Sequence, residues 1–329
     1  MFSLNLSAYA ALKLYKRRNS MDIRNAVLKL KLSDGTYYTP AGLIGFKCRK
    51  ERYTPYSSLD VTAVCKSADG VSDVREVRLE IGGEAVHSGI MDNMTISESG
   101  GLKKIRISSR SFSSMLSQNE LEPGLLAGIT LNKLMSESMV VPNVTWQSNA
   151  ESVRYIYVKE HDSQWTAIVN LGLTLNGQYP YIGGTNEVRL TQRSAEIFTP
   201  QNVYEIGTSD DYSKMASHYH MKDVNGDYSY NYTDGYAESR GIIRHKYINF
   251  DRQFLALADF GLQYKLNFSQ RGCRSKFMRY LGWCGEELRS MVKFPDGTVA
   301  EASVIEISGN AKKGIFTMTG CYYDRYCNS

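Results

Sequence analysis

Few residues in this 329-residue chain are spaced for chemistry. His218-Tyr219-His220 puts two imidazoles on one face of a strand, because side chains alternate with period two, and an imidazole pair is the beginning of a metal site. No cysteine lies nearby and the surrounding acidic residues sit in turns, so structural or surface histidines are the preferred reading. Asp223-Val224-Asn225-Gly226-Asp227, with Asp234, has the acidic density of a calcium loop. Tyr228 stands where the sixth position requires glycine, and no helices flank the run, so it reads as a polar hairpin turn. Tyr228, Tyr230 and Tyr232 alternate as a stacking platform for sugars or bases would, and cross-strand packing explains the same pattern. Asp210-Asp211 and Glu286-Glu287 are adjacent carboxylates. Neighbours in a strand point apart, which makes them poor acid–base pairs. There is no G-x-S-x-G, no P-loop and no Cys–His pair that stands out. The expectation is a protein without catalytic, cofactor-binding or metal residues, needing no cofactor and acting as no enzyme.

Composition narrows the class. At 329 residues the chain exceeds one ordinary core, so two or three domains are expected. Hydrophobic content of 42% and charged content of 22% argue against wholesale disorder. The +5 charge is mild, and Lys47, Arg49, Lys50 and Arg52 alternate as a solvated strand does rather than clustering as a nucleic-acid footprint does. No sequence-specific nucleic-acid binding is expected. No run approaches the ~20 apolar residues of a membrane-spanning helix, so no membrane insertion is expected. Of the cysteines at 48, 65, 273, 284, 321 and 327, none forms C-x-x-C. Free buried thiols are the expectation, with a Cys321–Cys327 pair as the lesser possibility. The 23 Tyr beside only 7 Pro favour sheet.

The elements follow from periodicity. Asn25 to Leu32, Thr36 to Tyr38, Leu43 to Arg52, Leu59 to Cys65 and Arg75 to Ile81 alternate apolar and polar residues. Asp34-Gly35 and Gly82-Gly83 supply turns. Val86 to Ile96 and Leu102 to Ser108 form a hairpin about Glu98-Ser99-Gly100-Gly101. Phe112, Met115 and Leu116 then recur at helical spacing, and Glu122-Pro123-Gly124 ends that helix. Six or more short strands without a helix suggest a closed or nearly closed barrel. Thr130 caps a helix holding Leu131, Leu134 and Met135, and Val153 to Lys159 is a strand. Asp162 or Ser163 caps the clearest helix, with Trp165, Ile168, Val169, Gly172 and Leu173 on one face and Asn176-Gly177 at its end. Tyr179 to Leu190 is a hairpin about Gly183-Gly184. Strands return at Val203 to Ile206, Lys214 to Val224, Tyr228 to Tyr232 and Ile242 to Ile248, with turns at Asn225-Gly226 and Thr233-Asp234-Gly235. A helix follows from near Asp251, with Phe254, Leu255, Leu257, Ala258, Leu262 and Leu266 apolar. Cys273 to Tyr280, Glu287 to Phe294, Val299 to Ser308 and Gly314 to Tyr322 complete the strands. Residues 1–20, with Leu4, Leu12 and Leu14 ahead of Lys16-Arg17-Arg18, read as an arm dispensable for folding.

The Val86 to Pro123 block resembles the close of the first barrel in baseplate hub proteins of contractile-tailed bacteriophages, the late-control-D type. There a strand runs into Gly-Arg-Ser, then Ala-Leu-Leu, then Asn-Glu and a proline. The matching residues are Ser109-Arg110-Ser111, Ser114-Met115-Leu116 and Asn119-Glu120 with Pro123, Ser109 replacing the family's glycine. Gly282-Trp283, Gly285-Glu286-Glu287-Leu288, Met291-Val292-Lys293-Phe294 and Lys313-Gly314-Ile315-Phe316-Thr317 resemble the family's second barrel, with Gly285-Glu286 in place of its Gly-Asp. The agreement covers nearly all of the chain after residue 21. It implies an α+β, mainly β fold: an extension over 1–20, a first tube-like β-barrel over 21–115, a small α+β domain over 116–200, and a second tube-like β-barrel with one amphipathic helix over 201–329. It also implies a structural baseplate hub of a phage tail or phage-tail-like contractile injection particle, a homotrimer joining the tail tube ring to the central spike protein beside other baseplate proteins. Such a protein resides in the virion or particle and is assembled in the bacterial host cytoplasm. The alternative is a tail component acting on peptidoglycan or carbohydrate, a tail lysin or glycan-binding module. Because the sequence ends soon after its second strand set, no added hydrolase domain is expected.

Overall fold

The computed structural model describes residues 22–65, 71–99, 101–191, 196–254 and 258–323. The expected N-terminal arm and Cys327 lie outside them. The first segment folds as its alternation demands, into β1 (Ala26–Leu32), β2 (Tyr37–Tyr38), β3 (Gly42–Glu51), β4 (Ser57–Cys65), β5 (Val74–Ile81), β6 (Glu84–Ser99) and β7 (Leu102–Ser111). Ser99 pairs with Leu102 across the expected turn. One face of each strand goes inward: Leu28 and Leu30, Leu59, Val61 and Ala63, Val77 and Leu79, Ile105 and Ile107 are all buried. Each such aliphatic side chain contributes roughly 1.5–3 kcal/mol by leaving water.

The middle segment holds β8 (Gly124–Ile129), β9 (Thr145–Trp146), β10 (Val153–Val158), β11 (Tyr181–Gly183) and β12 (Glu187–Arg189) around the Gln164–Asn176 helix. Ser163 Oγ accepts from the Thr166 amide at 3.2 Å. Gly177 ends the helix in the left-handed region, its amide donating to the Leu173 carbonyl at 3.0 Å, a bond that satisfies an otherwise orphaned carbonyl. Trp165, Ile168 and Leu173 are buried as expected, and Ala167 and Leu171 widen that face. Thr130 Oγ1 accepts from the Lys133 amide at 3.1 Å, so that expected cap also forms.

The last segment contains β13 (Ile197–Phe198), β14 (Val203–Asp210), β15 (His218–Met221), β16 (Tyr230–Thr233), β17 (His245–Ile248), β18 (Arg274–Leu281), β19 (Met291–Lys293), β20 (Val299–Asn310) and β21 (Ile315–Tyr323). Three expectations need correction. The strand expected over Lys214 to Val224 is only β15. Asp234 is a helix cap rather than a turn residue: its Oδ1 accepts from the Tyr236 amide at 2.8 Å and starts the Gly235–Ser239 helix. The strand expected over Glu287 to Phe294 shortens to β19, because Arg289 takes φ 66°, which interrupts a strand. The amphipathic helix runs Ala258–Gln270, preceded by a 3-10 turn Arg252–Phe254, and buries Leu262 and Leu266. Leu255 and Leu257 lie outside the described residues.

The class is α+β and mainly β, as expected. The two large strand sets share one sheet, in the order β14-β18-β21-β20-β3-β4-β7-β6-β5-β1-β2. The join is β3 against β20, antiparallel, with Phe46 opposite Gly309. A Cβ on Gly309 would overlap the Phe46 ring, so glycine lets the ring lie flat across the seam. Each set also curls. In the first, β1 comes back against β3, five places away in the sheet order. Ahead of β1, Asp22 bridges Ile315 of β21 and the Ile23 amide donates to the Gly314 carbonyl at 3.2 Å, which ties the start of the first set to the second. In the second set β19 pairs with both β20 and β13, and only residues 199–202 separate β13 from β14. The apolar side chains gather accordingly. One cluster takes Leu28, Leu59 and Ile107 together with Tyr280, Phe294, Ile305 and Tyr322, so it spans both strand sets. A second cluster surrounds Trp165, Ile168 and Ile156 in the middle segment.

Candidate functional site

The Ser109-Arg110-Ser111 run lies at the end of β7, where the first strand set meets the middle segment. Its two serines point inward and its arginine outward, as strand alternation requires. His87, fully buried on β6, bridges two hydroxyls: Ser57 Oγ lies 2.8 Å from Nδ1 and Ser109 Oγ 2.8 Å from Nε2. Ser109 Oγ also donates to the Ile90 carbonyl at 2.6 Å. It therefore accepts from His87 Nε2–H, which leaves Nδ1 to accept from Ser57. Burial, and secondarily the charge of Lys50, push His87 down to about 3, so it is neutral near pH 7. The chain of bonds continues: Ser111 Oγ accepts from the Ser57 amide at 3.0 Å and meets Ser113 Oγ at 2.9 Å. The Ser113 amide donates to Asn186 Oδ1 at 2.9 Å, and Asn186 Nδ2 donates to the Ser88 carbonyl at 2.9 Å. A serine beside a histidine invites a nucleophilic reading, yet this pair is sealed from solvent. Its hydroxyls are occupied by structural partners, and it fixes the seam between segments.

Arg110 faces outward and makes a bidentate pair with Asp92 across β6, both bonds at 2.8 Å. Deeper in the junction, Glu287 joins all three segments. Its Oε2 accepts from the Gly184 amide at 3.0 Å and from Arg189 Nη1 at 3.1 Å, while Lys50 Nζ donates to the Gly184 carbonyl at 2.6 Å. Burial pushes Glu287 up, but Lys50, the Gly184 amide and Arg189 outweigh it and the carboxyl is lowered overall. Arg289 donates to Gln178 at 2.9 Å, and Arg52 to Glu301 at 2.6 Å. Glu286 and Glu287 lie outside any strand, so alternation does not set their directions; Glu286 takes a different partner, its Oε2 accepting from the Cys284 amide at 3.1 Å.

The other residues weighed from sequence fall as follows. Asp210 pairs with Arg274 at 3.7 Å, and Asp211 accepts from the Ser213 amide at 2.9 Å, so the two carboxylates do not cooperate. Asp223 is occupied by its own loop, accepting from the amides of Asn225 at 2.8 Å and Asp227 at 3.1 Å and from Ser229 Oγ at 2.6 Å. The tyrosines do not form one platform. Tyr230 and Tyr232 lie opposite Met221 and Tyr219, while Tyr228 stands edge-on to Tyr247 with ring centroids 5.1 Å apart. His218 and His220 do share a face, joined by His245 from β17, which sequence reading missed. Among the described residues no group of three or more His, Cys, Asp or Glu side chains is placed to hold a metal ion. No helix among them is long and apolar enough to cross a membrane. His87 was also missed, since one histidine in an alternating strand carries no signal of its partners.

The path of the large sheet has two ends among the described residues. The sheet path ends at β14 on one side and at the two-residue β2 on the other. On β14, Tyr204 is 55% exposed and Ile206 46% exposed. An apolar edge strand with open amides is a template for another chain.

No protein-family model matches the sequence, and no curated protein matches it. Solved structures match over nearly the whole length. A tail protein from Neisseria meningitidis MC58 superposes with a TM-score of 0.68 at 13% identity, covering 92% of this chain and 97% of that one. The 43 kDa tail protein of prophage MuSo2 from Shewanella oneidensis gives 0.66 at 16% identity, covering 91% and 99%. A component of the E. coli type VI secretion system, itself described as similar to T4 bacteriophage tail proteins gp27 and gp5, gives 0.51 at 10% identity, covering 85% and 72%. The chain therefore has the fold of phage tail proteins and of this secretion-system component.

Proposed function

We propose that this chain is the structural hub of a phage tail or phage-tail-like contractile injection particle, a trimeric ring between the tail tube and the central spike. The observation that carries the reading is the single sheet running through two curled strand sets. One chain then offers two tube-like units, and three chains offer six, which suits a six-fold tube above and a three-fold spike below. The open edges at β14 and β2 suit head-to-tail closure, which leaves no edge exposed. The fold shared with tail proteins over more than nine-tenths of the chain supports the same placement. In this reading the protein is a virion or particle component, touches the tube ring, the spike and other baseplate proteins, and performs no catalysis.

Deleting the gene and complementing it tests the role. The reading expects particles without joined tube and spike on deletion, restored by the wild-type chain. Complete tails in the deletion strain would overturn it. The tail-lysin alternative is separated by incubating the purified protein with peptidoglycan, where release of soluble fragments would favour the enzyme.

A further inference from the structure

Three of the chain's five histidines stand on one face of the small β16-β15-β17 sheet. β15 and β17 run parallel, with His218 opposite His245 and His220 opposite Tyr247. His220 and His245 are nearly coplanar, at 7°, with Nε2 of the first 2.9 Å from Nδ1 of the second. Two imidazole nitrogens at that distance share one proton. Asn231 Oδ1 accepts from His220 Nδ1, which leaves His220 Nε2 as the acceptor and His245 Nδ1–H as the donor. His218 stacks on His245 with ring centroids 4.1 Å apart. We propose that these three histidines form a proton-operated latch that holds β17 against β15 while at least one of His220 and His245 is neutral and loosens it when acid charges both.

The chemistry fixes the sign. A proton on the free nitrogen of His245 leaves the shared bond intact. A proton on His220 Nε2 alone also leaves a bond, because neutral His245 can carry its hydrogen on Nε2 and accept at Nδ1; only when both rings are charged do two N–H groups face each other at 2.9 Å, and the bond becomes a repulsion. His218 Nε2 lies 3.3 Å from Glu238, so its own proton has a partner, but the resulting charge sits one ring-stack from His245. The remaining groups on this face relieve none of this. Thr233 is opposite His218 on β16. Tyr247 stacks on His220 at 4.6 Å, and Tyr228 carries Lys222 over its ring at 5.4 Å. The other face, with Tyr219, Met221, Tyr230, Tyr232, Lys246 and Ile248, points away. Separating the strands removes the facing N–H groups, so protons favour the open state. Imidazole is the side chain that makes such a device responsive between pH 5 and 8.

The test uses the intact protein. Histidine-labelled NMR from pH 8 to 4.5 follows the imidazoles, and hydrogen exchange read by mass spectrometry follows the amides of Ser217, His218 and Lys222, which donate to the Arg244 and Ile248 carbonyls. The latch predicts stepwise titration of the three rings, with successive steps at least about tenfold apart in proton concentration, as coupled sites show. After correction for intrinsic exchange, protection at those amides should fall about tenfold between pH 7.5 and 5, with the β3–β4 ladder unaffected. His245→Gln should abolish that pH response. Independent titration of the three rings, or equal protection at both pH values, would overturn the proposal, and both readings need only the wild-type chain.

Discussion

Acid should unfold this protein partly through His87, and the size of that effect follows from the junction. The fold holds His87 neutral, with its protonation pushed down to about 3, whereas an imidazole in the unfolded chain protonates near ~6.5. The stability that neutral His87 confers is complete above that unfolded value and is lost as pH falls toward about 3. From about pH 6.5 to 4.5 the unfolded chain takes a proton that the fold refuses. That is about two units at ~1.4 kcal/mol each, or ~2.7 kcal/mol. Other side chains also take up protons as the pH falls, so the comparison must be a double difference. His87→Gln keeps one donor and one acceptor for Ser109 and Ser57 but carries no titratable group. At neutral pH the variant should lose about 1–3 kcal/mol from imperfect hydrogen bonds. Between pH 7 and 4.5, denaturant unfolding should show wild type losing ~2.7 kcal/mol more than the variant. Parallel pH dependence in the two proteins would refute the claim that His87 is held neutral in the fold.

Gly89→Ala should cost about 3 kcal/mol or more, because a Cβ there would overlap the Arg110 backbone carbonyl, which cannot swing away; an unshifted melting temperature would show that β6 and β7 sit further apart. Trp165→Ala should cost about 3–5 kcal/mol, since Trp165 is 5% exposed at the centre of the middle cluster; an unchanged denaturant midpoint would place it at the surface. Arg189→Met leaves the half-buried Glu187 and Glu287 without their shared cation, which should cost about 1–3 kcal/mol. The contrasting change Arg75→Ala, at an exposed pair with Asp73, should leave the denaturant midpoint unmoved, and equal effects of the two would contradict the junction's role.

Local structure was legible wherever one residue type determines a backbone state. Asp34-Gly35, Gly82-Gly83 and Gly177 marked the turns and the helix end, and each adopts positive φ at its glycine. Strand alternation in β1, β4 and β7 gave the buried faces directly. What failed was set by distant partners. The β3–β20 pairing joins residues more than 250 positions apart, and both strands look the same with or without it. The 214–224 segment alternates well enough for a longer strand. Arg244 Nη1 instead donates to the Ser213 and Met215 carbonyls at 2.6 and 2.7 Å, holding that part of the chain as a loop. Arg289 likewise leaves strand geometry while its guanidinium reaches Gln178. The junction was half legible: the Ser-Arg-Ser run drew notice by resemblance, but His87, Asn186 and Glu287 meet it only once three segments have folded together.

The most direct test of the central claim is the symmetry of the assembled particle. Image reconstruction of the tube–spike joint, without imposed symmetry and with this chain tagged, should show three copies in one ring, each contributing two curled strand sets to a pseudo-six-fold wall. Six copies per ring, or a single copy on the axis, would contradict it.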